Sequence, residues 1–274
     1  MLELIVSSLN LLVVVALIQL VAWLFQLVYK NADPVDIAWS LALAMLGFYY
    51  IVRAWNNQSL DHITLVALCL APVAWYSRLA LHLINRFSTH HEDGRYAYLR
   101  KYWQQQSSST TVQVKFLLFF LLQALLAWFC SLPALIISQQ KETLTLLDIL
   151  AIGLILVSFV GVSIADKQLL NFKKNHKRQA KVCDHGLWRY SRHPNYFFEW
   201  LHWCSYPLLA WHSNALATTS WWFIASFPLW MFLFLWKVTG IPFNEQQNIR
   251  SKGQAYRDYQ ERTNAFFPGK PNRK

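Results

Sequence analysis

The chain has 274 residues, of which 55% are hydrophobic and only 14% charged, and its mean hydropathy is +0.23. A soluble protein of this size carries about a quarter charged residues, so a soluble globular class is disfavoured. The charge that remains is lopsided, at +11; with this apolar content it points to a membrane protein with basic loops rather than to a nucleic-acid binder. The four cysteines, Cys69, Cys130, Cys183 and Cys204, form no C-x-x-C pair, so neither a disulfide framework nor a zinc site is indicated.

Leu2 to Tyr29 is an apolar run too long for a signal-peptide core, and it reads as the first transmembrane helix. A turn at 31–34 leads to a second span, Val35 to Val52, with Asp36 and Trp39 near its start. After a polar link from Arg53 to His62, the third span runs from Ile63 to about Ile84 and contains Arg78 and His82. The polar segment Arg86 to Lys115, rich in aromatic and basic residues, suggests an interfacial helix. Phe116 to Ser138 is the fourth span, and Leu144 to Ala165, ending at Asp166, the fifth. Lys167 to His193 is the most basic loop, and the shorter sixth span (Asn195 to Trp211) and the seventh (Ser220 to Trp236) follow it. In the tail, Asn244 to Arg262 reads as an amphipathic helix, with Phe266, Phe267 and Pro268 placed to dock back onto the body.

The distribution of Lys and Arg tests this layout. One alternate set of regions (the Lys30 loop, the 86–115 segment, the 167–192 loop and the tail from Lys237) holds 22 of the 25, and the opposite set holds only Arg53 and Lys141. By the positive-inside rule the large set is cytoplasmic. The expected fold is therefore all-α and polytopic, with seven transmembrane helices, the N-terminus outside and the C-terminus cytoplasmic. It forms a single integral-membrane domain, 1–274, with N-terminal helices and interfacial segment over 1–112 and a C-terminal part over 113–274.

Ionisable groups within spans cost roughly 3 kcal/mol or more, so each is a functional candidate. Asp36 and Arg78 could instead pair and fix helix packing, and His82 could be a hydrogen-bonded interior histidine. Glu199 is hardest to dismiss: it shares a helix face with Asn195, just past Arg189, Arg192 and His193, with Pro194 placed as the first helical residue. A cation-rimmed helix start suits an anion. Anionic lipid would account for many basic residues here. A polyanionic cofactor, with phosphates on Arg and Lys and ribose on carboxylates and amides, would also account for the interleaved Asp93, Asp166, Glu199, Glu245 and Asn195. The histidines, including the isolated pair His90-His91 and the scattered His185, His193, His202 and His212, do not form di-iron boxes, and no metal is expected. Soluble-type nucleotide loops and the nucleophile-elbow pattern do not occur.

The stretch Gly186-Leu-Trp-x-Tyr-x-Arg-His-Pro-Asn-Tyr-x-x-Glu199-x-x-x-Trp203 resembles the C-terminal domain of steroid 5-alpha-reductase-type proteins, closest to a bacterial branch of unknown function. Asp36-x-x-Trp39, Trp75-Tyr-Ser-Arg-Leu79 and the stretch from Arg86 to Glu92-Asp-Gly-Arg-Tyr96 agree with it. So do Gly240-Ile-Pro-x-x-Glu245 and Tyr256-x-x-Tyr259-x-x-x-Thr263-x-x-Phe266-x-Pro268. The resemblance implies a seven-helix membrane fold that binds NADPH from the cytosolic side and passes a hydride to the β-carbon of an enone in a lipophilic substrate taken from the bilayer, such as a 3-oxo-4-ene steroid. It implies a cofactor site of Arg86, Arg95, Tyr96, Asp166, Arg192, His193, Asn195, Tyr196, Glu199, Glu245, Tyr256 and Tyr259, with Asp166 ending the fifth helix and the two tail tyrosines closing over the cofactor. Asp36, Tyr76 and Arg78 fall to the catalytic side. In the steroid enzymes a glutamate on the second helix and a tyrosine on the third polarise the carbonyl; here the second helix offers Asp36, and Trp75-Tyr76 precede Arg78 on the third. The alternative is an S-adenosylmethionine-dependent methyltransferase of the isoprenylcysteine or phospholipid type, which Arg-His-Pro-x-Tyr and Tyr-x-x-Tyr also resemble. Asn195 and Glu199 weigh for the reductase. A non-catalytic lipid-binding or assembly protein is the third reading. The partners expected are the lipophilic substrate and membrane lipids, with no nucleic acid.

Overall fold

The structure, a computed structural model, describes residues 2–57, 61–139, 144–176, 181–211, 218–238 and 240–272. Lys141, Lys177, Arg178 and His212, which entered the charge count or the histidine survey, lie outside the described residues, as do Arg273 and Lys274. The described residues are helical throughout, with no strand. They fall into two compact units, one formed by the residues up to Leu144 and the other by those from Thr145 on.

In the first unit, α1 (Leu2–Ser7) and α2 (Leu9–Tyr29) are separated only at Ser8, whose hydroxyl turns back to the Ile5 carbonyl. Lys30 ends α2 in the left-handed conformation (φ 49°). α2 shows why this helix suits lipid. Its inward stripe is Leu11, Val15, Gln19, Ala22 and Gln26, whereas its exposed stripe is Val13, Leu17, Val21, Leu24 and Val28. The two glutamines point in and the exposed stripe is wholly apolar, the arrangement expected where the surroundings are hydrocarbon.

Pro34 opens α3 (Pro34–Asn56) at a position where its missing N–H costs nothing. The Asp61 carboxylate caps α4 (His62–Leu68) by accepting from the Ile63 and Thr64 N–H groups. A π-helical turn, Cys69–Ala74, carries α4 into α5 (Trp75–Arg86), with the buried Pro72 inside it. Proline removes an internal helical bond, which a widened turn accommodates. α6 (Gly94–Gln106) is the helix expected at the interface, capped by Asp93. α7 (Ser109–Ile137) packs on α2 and α3, and Phe116 and Phe120 join Val35, Ala38 and Tyr96 in the core.

In the second unit, α8 (Leu146–Asn175) begins with a reciprocal Thr145–Asp148 capping box. It continues well past Asp166, so the expectation that Asp166 ends this helix is corrected: the lysine-rich Lys167–Lys174 stretch extends the helix instead of opening a loop. α9 (Pro194–Trp203) and α10 (Ser205–Ala210) replace the single sixth span, with a break at Cys204. α11 (Thr218–Leu233) ends in a π-helical turn, Phe234–Val238. The tail helix is also two pieces, α12 (Ile241–Lys252) and α13 (Gln254–Arg262), because Gly253 adopts φ 59° between them. Among the described residues, six helical stretches are long and apolar enough to cross a membrane: Leu2–Tyr29, Pro34–Asn56, His62–Arg86, Ser109–Ile137, Leu146–Asn175 and Trp221–Lys252.

Candidate functional site

The residues expected at the site fall into two clusters, one in each unit. In the first unit the short turn before α3 and the N-terminus of α6 bring Asp33, Asp36, Glu92, Asp93 and Arg95 together. Asp36 has both oxygens occupied: Arg95 Nη2 donates to Oδ2 at 2.8 Å and the Tyr96 hydroxyl to Oδ1 at 2.7 Å. Arg95 Nε also reaches Asp93 at 3.0 Å, and Arg86 meets Asp93 at 3.2 Å. The pairing of Asp36 with Arg78 weighed above is thus replaced by Arg95 and Tyr96; the Arg78 guanidinium lies 5.2 Å over the Trp75 ring. Nearby, Arg100 grips Glu92 (2.7 and 3.1 Å) and Gln26 (3.0 Å), and Glu92 accepts the Ala32 N–H, so the turn is tied to α6 and α2.

The carboxylates here differ in their preferred state. Burial raises Asp33, and the charges of Asp93, Glu92 and Asp36 push the same way, whereas the Asp93 N–H that it accepts opposes them. Burial also works against ionised Asp93, but Arg95 and Arg86 outweigh it and hold its carboxyl below the usual range. Burial beside Asp36 keeps the Tyr96 phenol protonated far above its ordinary value. A small cleft open to solvent is lined by Asp33, Asp36, Asp93, Arg86, Arg95 and the apolar Ile37, Leu83 and Phe87. Tyr76 is buried on α5, with its ring edge-on to Trp39.

The second cluster is built around the start of α9. Gly186 (φ 60°) opens the preceding 3-10 turn, Gly186–Arg189, with the Gln168 side chain where a Cβ would stand. Gln168 also accepts the Leu187 N–H, and the Trp188 indole donates to the Ala165 carbonyl, so the turn is fixed to α8. Arg192 donates from Nε to Glu245 at 2.6 Å and from Nη1 to the carbonyls of Gln260 and Thr263, while its backbone N–H meets the Asn264 carbonyl at 2.8 Å. Gln260 reaches the other Glu245 oxygen at 2.9 Å. His193 lies 3.5 Å from Glu245 and stacks on Tyr196. Burial pulls its pKa below 6.5 despite Glu245, so at neutral pH it is an uncharged group. The Tyr196 hydroxyl receives a short bond from Asn244, and the Tyr259 hydroxyl donates to the Trp188 carbonyl. Phe266 and Phe267 dock among Phe197, Trp200 and Phe232, as the tail composition suggested.

The structure therefore brings Arg192, His193, Tyr196, Glu245, Tyr256 and Tyr259 together in the second unit, with Asn195 and Glu199 one helical turn apart on α9. Arg86, Arg95 and Tyr96 belong to the Asp36 cluster of the first unit. Asp166 lies within α8. The Asn195 Oδ1 is buried with no hydrogen-bond partner among the described residues. An amide oxygen in that position calls for a donor from a ligand. Arg189, an exposed side chain in the turn before α9, carries no ion pair among the described residues. It is a cation open to an anion, whereas Arg192, beside it in the cation-rimmed helix start, is engaged by Glu245. The buried amide acceptor and the exposed Arg189 cation together suit a ligand that carries a hydrogen-bond donor and an anionic group. No group of three or more His, Cys, Asp or Glu among the described residues is arranged to hold a metal ion.

Among the described residues, a fold without strands, six helices long and apolar enough to cross a membrane, and a polar cluster at one helix start define a helical class of membrane-protein type. The chain belongs to the family described as protein of unknown function (DUF1295), which matches residues 22–263. No curated protein and no solved structure matches it.

Proposed function

We propose that the chain is an NADPH-dependent reductase of a conjugated carbon–carbon double bond in a lipophilic substrate. The observation that carries this reading is the buried, unpartnered Asn195 Oδ1 one turn before Glu199, on a helix whose entry is locked by Arg192 and Glu245. Asn195 and Glu199 hold the nicotinamide end of the cofactor and its ribose, and Arg189 with neutral His193 serves the phosphate end. The reduced nicotinamide supplies the hydride. The protein's contribution is to orient it, because hydride transfer needs donor and acceptor carbons within roughly 3–3.5 Å. Asp36, Tyr76 and Arg78 serve the substrate side. The substrate enters from the bilayer of a bacterial inner membrane, and the cofactor from the cytoplasm.

In this reading α9 and α10, of 10 and 6 residues, together make a seventh crossing. At 1.5 Å per residue the pair spans roughly 25 Å, a little short of the roughly 30 Å hydrocarbon core. The basic regions then face the cytoplasm and the N-terminus lies outside.

Binding of NADPH, NADH and S-adenosylmethionine to the detergent-purified protein, measured side by side, tests the reading. NADPH is expected to bind, and Asn195→Ala or Glu199→Gln to abolish that binding without unfolding the chain. Tight binding of S-adenosylmethionine with no binding of NADPH would replace the reductase by a membrane methyltransferase.

A further inference from the structure

We propose that the Trp39 indole N–H is the hydrogen-bond donor that holds the carbonyl oxygen of a ketone-bearing lipophilic ligand in the first unit. The inference deepens the reductase reading and rests on it for the identity of the ketone as an enone. Trp39 sits in the second turn of α3, three residues after Asp36, so the two side chains leave the helix on neighbouring faces. Its Nε1 is buried and has no acceptor among the described residues. Buried indole N–H groups ordinarily find a partner. The ring itself is fixed: it meets the Tyr76 ring edge-on, with centroids 5.6 Å apart and an interplanar angle of 88°. Tyr76 and its neighbour Trp75 are fully buried on α5, as are Leu43 and Leu46 further along α3. The donor is therefore held in place by aromatic packing and by the flanking helix, not by a polar partner.

Three features set the chemistry of the ligand. An indole N–H can only donate, so the ligand presents an acceptor. The aromatic and aliphatic surroundings call for a lipophilic body. The nearby cleft carries three carboxylates, Asp33, Asp36 and Asp93, against two guanidiniums, Arg86 and Arg95. The Arg95 charge is already engaged by Asp36 and Asp93. Both guanidiniums of that cleft are already paired with its carboxylates, so neither is left to hold an anionic acceptor, and a neutral carbonyl suits the indole donor. Asp36 is itself poorly suited to grip that carbonyl, because both of its oxygens accept from Arg95 and Tyr96. In an enone reduction the hydride adds to the β-carbon, the electron pair of the double bond shifts toward the carbonyl, and the oxygen takes the negative charge. The cofactor is oxidised to NADP⁺ and a proton from water reaches the α-carbon as the carbonyl reforms. A fixed N–H at that oxygen strengthens its bond as the charge develops, which is where a donor gains most.

The test uses a 3-oxo-4-ene steroid and its 3-deoxy analogue as probes on the full chain in detergent, without cofactor. The unsubstituted protein is expected to bind the ketone about tenfold more tightly than the analogue, the scale of one buried hydrogen bond. Trp39→Phe, which keeps a ring against Tyr76 and removes the N–H, is expected to erase that preference. The stretching band of the ¹³C-labelled carbonyl, read in the unsubstituted protein, should lie below its position in an apolar solvent, a readout that needs no variant to fold. An unshifted band, a ketone preference that survives Trp39→Phe, or equal binding of the two probes by the unsubstituted protein overturns the assignment. NADPH binding in the same samples separates the two claims. If NADPH binds but the ketone preference is missing, the Trp39 assignment fails alone. If the preference is present and depends on the indole while NADPH does not bind, the Trp39 site stands and the reductase reading falls.

Discussion

Asp33, in the turn before α3, and Asp93, at the start of α6, are hydrogen-bonded neighbours with opposite electrostatic fates. Asp33 spends its carboxylate on the backbone N–H of Asp93 at 2.8 Å and has carboxylates for neighbours; Asp93 accepts from two arginines. The signs of their contributions to stability follow. The folded pKa of Asp93 lies below its ordinary 3.8, so its contribution is fully present above that pH and is lost as pH falls through the folded value. That of Asp33 lies above 3.8, so its contribution is present below that pH and is lost as pH rises through the folded value. At pH 7, therefore, Asp93→Asn should lower the unfolding temperature and Asp33→Asn, which keeps an oxygen acceptor, should raise it. In unfolding scans the Asp33 difference should shrink as pH falls toward 3.8 from above, and the Asp93 difference as pH falls below 3.8. At this scale the sequence was only half legible. Asp36 stood out as a carboxylate in an apolar helix, but its partners Arg95 and Tyr96 lie some sixty residues away, and sequence spacing cannot connect them. Arg78, nearer along the chain and on the next helix, was the natural guess. Asn195 was legible because it falls four residues before Glu199 on the same helix face, and its buried oxygen is what the structure adds.

At the scale of the helices, the apolar runs announced the long spans, and their interruptions were harder to read. The break at Cys204 falls where Pro207 can neither donate to nor clear the Trp203 carbonyl four residues back, and the split at Gly253 falls at a glycine; the continuous helices expected over 195–211 and 244–262 passed over both signals. Two glycines show how closely the helices approach. A Cβ on Gly47 would stand 2.7 Å from Pro72 Cβ, an atom of a rigid ring inside the π-helical turn. A Cβ on Gly153 would meet nothing within 4 Å. Gly47→Ala should therefore cost about 1–3 kcal/mol through overpacking. Gly153→Ala should stabilise α8 by about 0.5–1 kcal/mol through the lower entropy of the unfolded chain. Denaturant unfolding in detergent distinguishes the two, and a neutral Gly47→Ala would mean that α3 and the turn at Pro72 can move apart.

For the whole molecule, the number of crossings decides where the ends lie. Six spans put both termini on one side; seven, counting α9 with α10, put them on opposite sides. The charge asymmetry, 22 Lys and Arg in one set of regions against two in the other, favours seven. Single cysteines introduced at Glu3 and Lys270 in a chain whose own four cysteines are replaced should then label with a membrane-impermeant reagent from opposite faces of oriented vesicles. Labelling from the same face would mean that α9 and α10 enter and leave the membrane on one side instead of crossing it. The sequence carried the asymmetry clearly, because charge placement is a property of loops and survives errors in helix ends.

The way the tail is held has a further consequence, for which substitutions the protein can absorb. Arg192 grips the carbonyls of Gln260 and Thr263 and, through its own N–H, that of Asn264; Ser191 takes the carbonyl of Phe266; and the Gly269 N–H reaches the Tyr190 carbonyl. These bonds address the main chain and ignore most of the side chains attached to it. The segment from 260 to 269 is thus recognised by its path more than by its spelling. Side chains such as Ala265 are open to exchange, while the aromatic anchor Phe266 and the grip of Arg192 are not. Sequence drift along this stretch would hide a docking contact that the backbone still makes.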